Sequence, residues 1–209
     1  MSDPENVDEL VTRIIRGDRA AMASLFESYR DRLARVVRFR LHPRLQGRID
    51  ADDVVQDAWL RAESRIGSFF GEASQSPFIW FRMIVSQALI DLHRRHLGAD
   101  KRDARRDCSI DGRWSSESTA TSLTWHLAGR LPSPSSAAAK AESVALLDKA
   151  LEELSELDRE VLVLRHFEEL SNIETALVLG ITQQAASMRY VRALERLRDV
   201  LESPRTGFP

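Results

Sequence analysis

Almost every periodic segment of this chain places its apolar residues at the spacing of an α-helix. Val7, Leu10, Val11, Ile14 and Ile15 fall at i, i+3, i+4, i+7 and i+8, and Gly17 closes that short helix. Asp18 is placed to cap a second, long helix whose stripe is Met22, Leu25, Phe26, Tyr29, Leu33, Val36 and Val37, ending near Pro43. A third stripe, Val54, Val55, Ala58, Trp59, Ala62 and Ile66, runs from Asp50 to about Ser68. After a loop at 68–76, Ser76-Pro77 is a cap followed by proline at the first helical position, and opens a fourth helix to about Leu97 on Phe81, Ile84, Val85, Ala88, Leu89 and Leu92. Four such helices in residues 1–98 can close a small core.

The character changes beyond Gly98. KRDARR (101–106) is a basic run, and residues 115–136 hold ten Ser or Thr, a composition that predicts a solvated tether over 99–140, although Trp114 and Trp125 are unusual in one. The helical period returns in 141–209, with Leu147, Ala150, Leu151 and Leu154, then Leu157, Val161, Leu164 and Phe167. The expected fold is all-α: two small helical domains joined by a linker.

Composition removes several classes of function. With 43% hydrophobic and 30% charged residues the chain is neither disordered nor membrane-inserted, and its longest apolar run is far short of a spanning helix. The acidic start MSDPENVDEL has no leader character, and a single cysteine, Cys108, suits a reducing, cytoplasmic setting. Neither GxGxxG nor GxxxxGK[ST] occurs. His93 and His96 with Cys108 lack the spacing of a zinc site, and Asp52, Asp53 and Asp57 have no converging partner, so no metal, cofactor or catalytic residue is expected. The formal charge of −2 does not argue against nucleic acid, because clustering matters more than the sum.

LSNIETALVLGITQQAASMRYVRALERLR (170–198) has helix-turn-helix grammar. Ser171 and Glu174 form a capping box, Ala176 is small where helices cross, Gly180 supplies the turn and Ile181 plugs beneath it. In the last helix Ala186, Tyr190, Ala193, Leu194, Leu197 and Leu201 are predicted to point inward. Gln184, Ser187, Met188, Val191, Arg192 and Glu195 point outward, flanked by Gln183 and Arg189. Amides and guanidinium groups can read base edges there, and apolar side chains can meet a thymine methyl. Upstream, DADDVVQDAWLRA (50–62) exposes Asp52, Asp53, Gln56, Asp57, Leu60 and Arg61, an acidic face around a leucine that suits a basic protein partner. PFIWFRMIVSQALIDLHRRHL (77–97) carries a second face of Trp80, Met83, Gln87, Asp91 and Arg94 beside a basic cluster, suited to unstacked bases.

In this order the parts resemble the extracytoplasmic-function (ECF) sigma factors, the compact two-domain class of the sigma-70 family of bacterial RNA polymerase specificity subunits. Residues 50–62 resemble region 2.2, residues 77–95 resemble regions 2.3 to 2.4, and residues 154–198 resemble region 4. The resemblance implies a non-enzymatic protein that binds core polymerase and directs promoter-specific initiation. It implies docking of Asp53, Gln56, Asp57 and Leu60 on the β′ coiled coil, with region 4 on the β flap. It assigns minus-ten DNA to the loop residues Phe69, Phe70, Ser74, Gln75 and Ser76 and to Trp80, Gln87, Arg94 and Arg95. Minus-thirty-five DNA falls to Gln183, Gln184, Ser187, Met188, Arg189, Val191, Arg192 and Arg196, with Arg94, Arg95, Arg189 and Arg196 on phosphates. An anti-sigma factor is a further implied partner. The family commonly has asparagine at Gln87, arginine at Met83 and a basic residue at Ser187, and this linker is long for the class. The competing expectations are a dimeric helix-turn-helix regulator without polymerase and a helical adaptor that binds proteins only.

Overall fold

The computed structural model describes residues 4–68, 76–96 and 153–202, together with 119, 120, 122–124, 126, 147, 150 and 151. The chain divides into two compact units, Met1–Arg113 and Trp114–Pro209. The described residues are helical, with no strand among them.

The first unit is built from α1 (Pro4–Ile15), α2 (Arg19–Arg40), α3 (Ala51–Ser64) and α4 (Pro77–His96). Asp18 caps α2, its Oδ1 accepting from the amides of Ala20 and Ala21, while Arg13 at the end of α1 holds its other oxygen at 2.8 Å. Leu41 leaves the helical region, and His42-Pro43 opens the single tight turn Pro43–Leu45 that leads toward α3. The core is aromatic at its centre: Phe26 of α2 meets Trp59 of α3 and Phe81 of α4, each with ring centroids 5.1 Å apart. Met22, Leu25, Leu33, Val37, Val55, Ala58, Val85 and Leu89 close around it. Each large apolar side chain so buried contributes roughly 1.5–3 kcal/mol relative to exposure.

α4 is buried on more than one side, with Phe78, Trp80, Phe81, Ile84, Val85, Ala88, Leu89 and Ile90 all inaccessible. The reason is local: seven of the eight residues from Phe78 to Val85 are apolar, and no single helix face can hold them. His93, in the last turn with Arg94, Arg95 and His96, is buried. Its Nε2 accepts the backbone N–H of His42 at 3.2 Å, tying the end of α4 to the end of α2. Burial, with His42 adding to it, pushes the imidazole down to about 4.

In the second unit α5 (Glu156–Leu162) runs into one wide turn, Val163–Phe167, followed by α6 (Asn172–Leu179) and α7 (Gln183–Glu202). Ser155 caps α5, and Val161 and Leu162 at its end and Val163 and Leu164 in the wide turn are buried, as are Leu147, Ala150, Leu151 and Leu154. The second unit begins inside the stretch expected to be a solvated tether. Thr119, Ser122, Leu123 and His126 lie at i, i+3, i+4 and i+7; the first three are buried, and His126 approaches Phe167 with ring centroids 5.9 Å apart. The Thr119 hydroxyl donates to the buried Glu160 carboxylate at 2.7 Å. Hydroxyl-rich helix can enter a core when each hydroxyl finds an acceptor, so serine and threonine content alone does not make a tether.

Two outcomes follow. A neutral His93 in the fold against an unfolded value of 6.5 means that the unfolded chain binds the extra proton, so stability falls as pH drops from 6.5 toward 4. The loss reaches roughly 3 kcal/mol at the low end. Hydrogen exchange of α2 and α4 amides should show this limb in the wild type and much less of it in His93→Gln, which keeps an acceptor but does not titrate; His42, also lowered by burial, supplies what remains. Thr119→Val should destabilise the second unit by about 1–3 kcal/mol, by leaving the Glu160 carboxylate without this donor. Faster exchange of α5 amides, with α2 unchanged, is the signature.

Candidate nucleic-acid interface and partner face

α3 begins at Asp50, whose carboxylate accepts from Asp52 N–H, and Asp52 and Asp53 occupy the first turn, where the helix end favours negative charge. Ala51, Val54, Val55, Ala58 and Ala62 face the core. Asp53, Gln56 and Leu60 therefore lie together on the solvent side, Leu60 being 58% exposed although the same helix buries its smaller apolar residues. Asp57 sits half-exposed at the edge of this face, and Arg61 one turn on bonds its carboxylate at 3.0 Å. The same guanidinium reaches Asp91 of α4 at 2.6 Å. Burial works against the Arg61 charge, but the bonds to Asp91 and Asp57 outweigh it and hold its pKa up. Arg65 donates to Gln87 Oε1, also at 2.6 Å. Arg61 of α3 and Arg65 just past its end thus grip the outer edge of α4. Arg65 was not singled out by sequence, because its partner lies on another helix and no local spacing announces it.

The expected minus-ten residues divide. Phe69, Phe70, Ser74 and Gln75 lie outside the described residues. Ser76 is half-buried, its carbonyl accepting the Trp80 amide at the first turn of α4. Trp80, expected as a stacking platform, is 2% exposed and packs against Phe81 with ring centroids 5.1 Å apart. It belongs to the core, because the apolar run that opens α4 is too continuous to leave it outside. Gln87 is half-exposed beside Arg65, and Arg94, Arg95 and His96 form an exposed basic last turn, Arg94 lying 3.8 Å from Asp91.

The α6–α7 corner is defined by backbone chemistry. The capping box is present in both directions: the Ser171 side chain accepts from Glu174 N–H, and Glu174 Oε2 accepts from Ser171 N–H. Gly180 takes the left-handed conformation, φ +64°, and the amides of Gly180 and Ile181 bond back to the carbonyls of Leu177 and Ala176. Thr182 then caps α7 through Ala185 N–H, and Asn172 donates across the corner to the Gln183 carbonyl at 2.8 Å. Asn172 and Thr182 were missed by sequence; the Thr182 cap had a signal in its place before the helix.

On α7, Ala186 and Ala193 are buried and Tyr190 and Leu197 half-buried, as the spacing predicts, whereas Leu194 is exposed because it lies beyond the edge of the narrow alanine seam. Gln183, Gln184, Ser187 and Arg192 are exposed, with Met188 at 48% and Val191 at 51%. Arg189 and Arg196 are placed differently from the expected phosphate contacts. Both turn toward α5 and bond Asp158, Arg189 to Oδ1 at 3.1 Å and Arg196 to Oδ2 at 3.4 Å.

Comparison with known proteins matches the two units separately. Residues 25–97 match the Sigma-70 region 2 family and residues 150–199 the Sigma-70 region 4 family. The ECF RNA polymerase sigma factor SigD of Mycobacterium tuberculosis is 30% identical over 93% of this chain and 84% of its own. The chain is a member of the ECF sigma factors. SigW of Bacillus subtilis, another of them, is 24% identical over 93% of this chain and 96% of its own. The solved structure of CnrH in complex with the cytosolic domain of CnrY shares the fold, with a TM-score of 0.52 at 23% identity, covering 95% of this chain and 98% of that one. As a sigma factor the protein directs promoter-specific transcription; α3 and α4 belong to region 2, and the α6–α7 corner to region 4.

A Cβ at Gly180 meets no atom within 4 Å, so substitution there costs backbone conformation alone. Gly180→Ala should lower the stability of region 4 by about 1 kcal/mol and Gly180→Asn by less, measured by urea unfolding and by exchange of the α6 amides.

Proposed function

We propose that this sigma factor docks on the β′ coiled coil of core polymerase through Asp53, Gln56, Asp57 and Leu60 of α3, with region 4 resting on the β flap. The observation that carries this reading is Leu60, a large apolar side chain 58% exposed in the middle of an acidic face. A basic partner helix with an apolar stripe would cover Leu60 while pairing with the acidic side chains around it. α7 enters the major groove of the minus-thirty-five element with Gln183, Gln184, Ser187, Met188, Val191 and Arg192. Gln and Arg supply hydrogen bonds to base edges, and the exposed Met188 and Val191 supply apolar contact of the kind a thymine methyl accepts.

At the minus-ten element, Phe69, Phe70, Ser74, Gln75 and Ser76 receive extruded bases, and Gln87, Arg94 and Arg95 border the opened strand. Unstacking each base costs a few kcal/mol, recovered by contacts that only the open strand can make. Core polymerase sets the distance between the two readers. The protein works in the cytoplasm, where polymerase and promoters are, and an anti-sigma factor restrains it. CnrH, which shares the fold, was solved with the cytosolic domain of CnrY, and a partner of that kind would cover exposed apolar residues such as Leu60.

Size-exclusion co-elution with bacterial core polymerase tests the docking face. Wild type should co-elute and Asp53→Arg/Gln56→Ala should not, while that variant keeps its helical circular dichroism. Binding of the double variant at wild-type strength would reject the assignment to α3, and failure of the wild type to bind a cognate core would reject polymerase docking itself.

A further inference from the structure

Asp158 is 5% exposed in the first turn of α5, where the helix end already favours a carboxylate. Its two oxygens are engaged separately, by Arg189 and by Arg196. Those arginines are seven residues apart, so they lie on one face of α7, two turns or about 10 Å from each other along the axis. They flank the seam in which Ala186 and Ala193, also seven apart, are buried. Tyr190 and Leu197, half-buried beside the alanines, complete an apolar seam that carries no directional bond of its own. One carboxylate gripped by two arms that leave α7 two turns apart adds that direction and opposes rolling about the axis.

We propose that Asp158 is the positioning residue of the recognition helix, and that Arg189 and Arg196 act through it rather than on DNA phosphates. This rests on the reading of α7 as the base-reading helix. The outward side chains Gln184, Ser187, Met188, Val191 and Arg192 share one rigid helix, so their azimuth is set by the Asp158 clamp together with the alanine seam. A roll of 20° would carry a side chain about 2 Å, enough to break a hydrogen bond to a base edge. Asp158 also offsets part of the charge of both guanidinium groups, whereas Arg192 stands exposed on the reading face.

Salt dependence separates a positioning arginine from a phosphate contact, because each phosphate neutralised adds about 0.9 to the slope of log K against log salt. Full-length protein assembled with core polymerase would first select an element from a random duplex pool. Binding of that duplex and of a scrambled one is then measured from 50 to about 300 mM KCl. Asp158→Asn should lose about tenfold or more of the preference for the selected duplex, with a slope unchanged or steeper as the arginines are released. Arg189→Gln and Arg196→Gln should lose preference without flattening the slope, whereas Arg192→Gln should flatten it by about one. Asp158→Glu should restore part of the preference. Retention of full preference by Asp158→Asn, or flattening by about one in both Arg189→Gln and Arg196→Gln, would overturn the proposal. If Asp158→Asn does not fold, Arg196→Gln, whose side chain is 56% exposed, still carries the slope comparison. Selection of no element by the wild type would instead reject α7 as a base reader.

Discussion

A helix packed on one side has only its other side to offer, and both units of this sigma factor are organised by that division. In region 2 the seam of Phe26, Trp59 and Phe81 takes the apolar stripes of α2, α3 and α4 into one core. What remains of α3 is Asp53, Gln56, Asp57 and Leu60, so the candidate docking face is the complement of the core stripe. In region 4 the narrow seam of Ala186 and Ala193 leaves most of the α7 surface outside, Leu194 included. α4 marks the limit of the rule. Its first turns are apolar on every side, so burial claims Trp80, and only the far edge and the last turn remain for a partner.

Charge adds a second layer that burial does not specify. Arg61 joins Asp57 to Asp91, Arg65 holds Gln87, and Asp158 takes both Arg189 and Arg196. These contacts join neighbouring helices at the edges of the apolar core. They also change which charges are open to nucleic acid: an arginine on a recognition helix is not thereby a phosphate contact. Mixed pairing of this kind is consistent with a chain whose formal charge is only −2 and in which the last turn of α4 and much of α7 are nonetheless locally basic.

The serine- and threonine-rich stretch shows where composition misleads. A tether was expected over 99–140, yet Thr119, Ser122 and Leu123 are buried in the second unit. Their i, i+3, i+4 spacing was present in the sequence but masked by a local density of hydroxyls that ordinarily signals solvent. Burial is made tolerable at Thr119 by an acceptor, Glu160, 41 residues away.

What the sequence determined by itself was everything encoded within a turn or two of helix. That covers the caps at Asp18 and Ser171, the left-handed turn at Gly180, the apolar stripes and hence the all-α fold, and the outward set on α7 from Gln184 to Arg192. Each depends on neighbours three or four residues away, whose geometry a helix repeats. Tertiary structure alone decided that Trp80 and His93 are inside, that Thr119, Ser122 and Leu123 are buried in the second unit, and that Arg189 and Arg196 bond Asp158. Those outcomes depend on which distant side chain arrives opposite, and a guanidinium or an indole is equally at home in several settings until its partner's position is known.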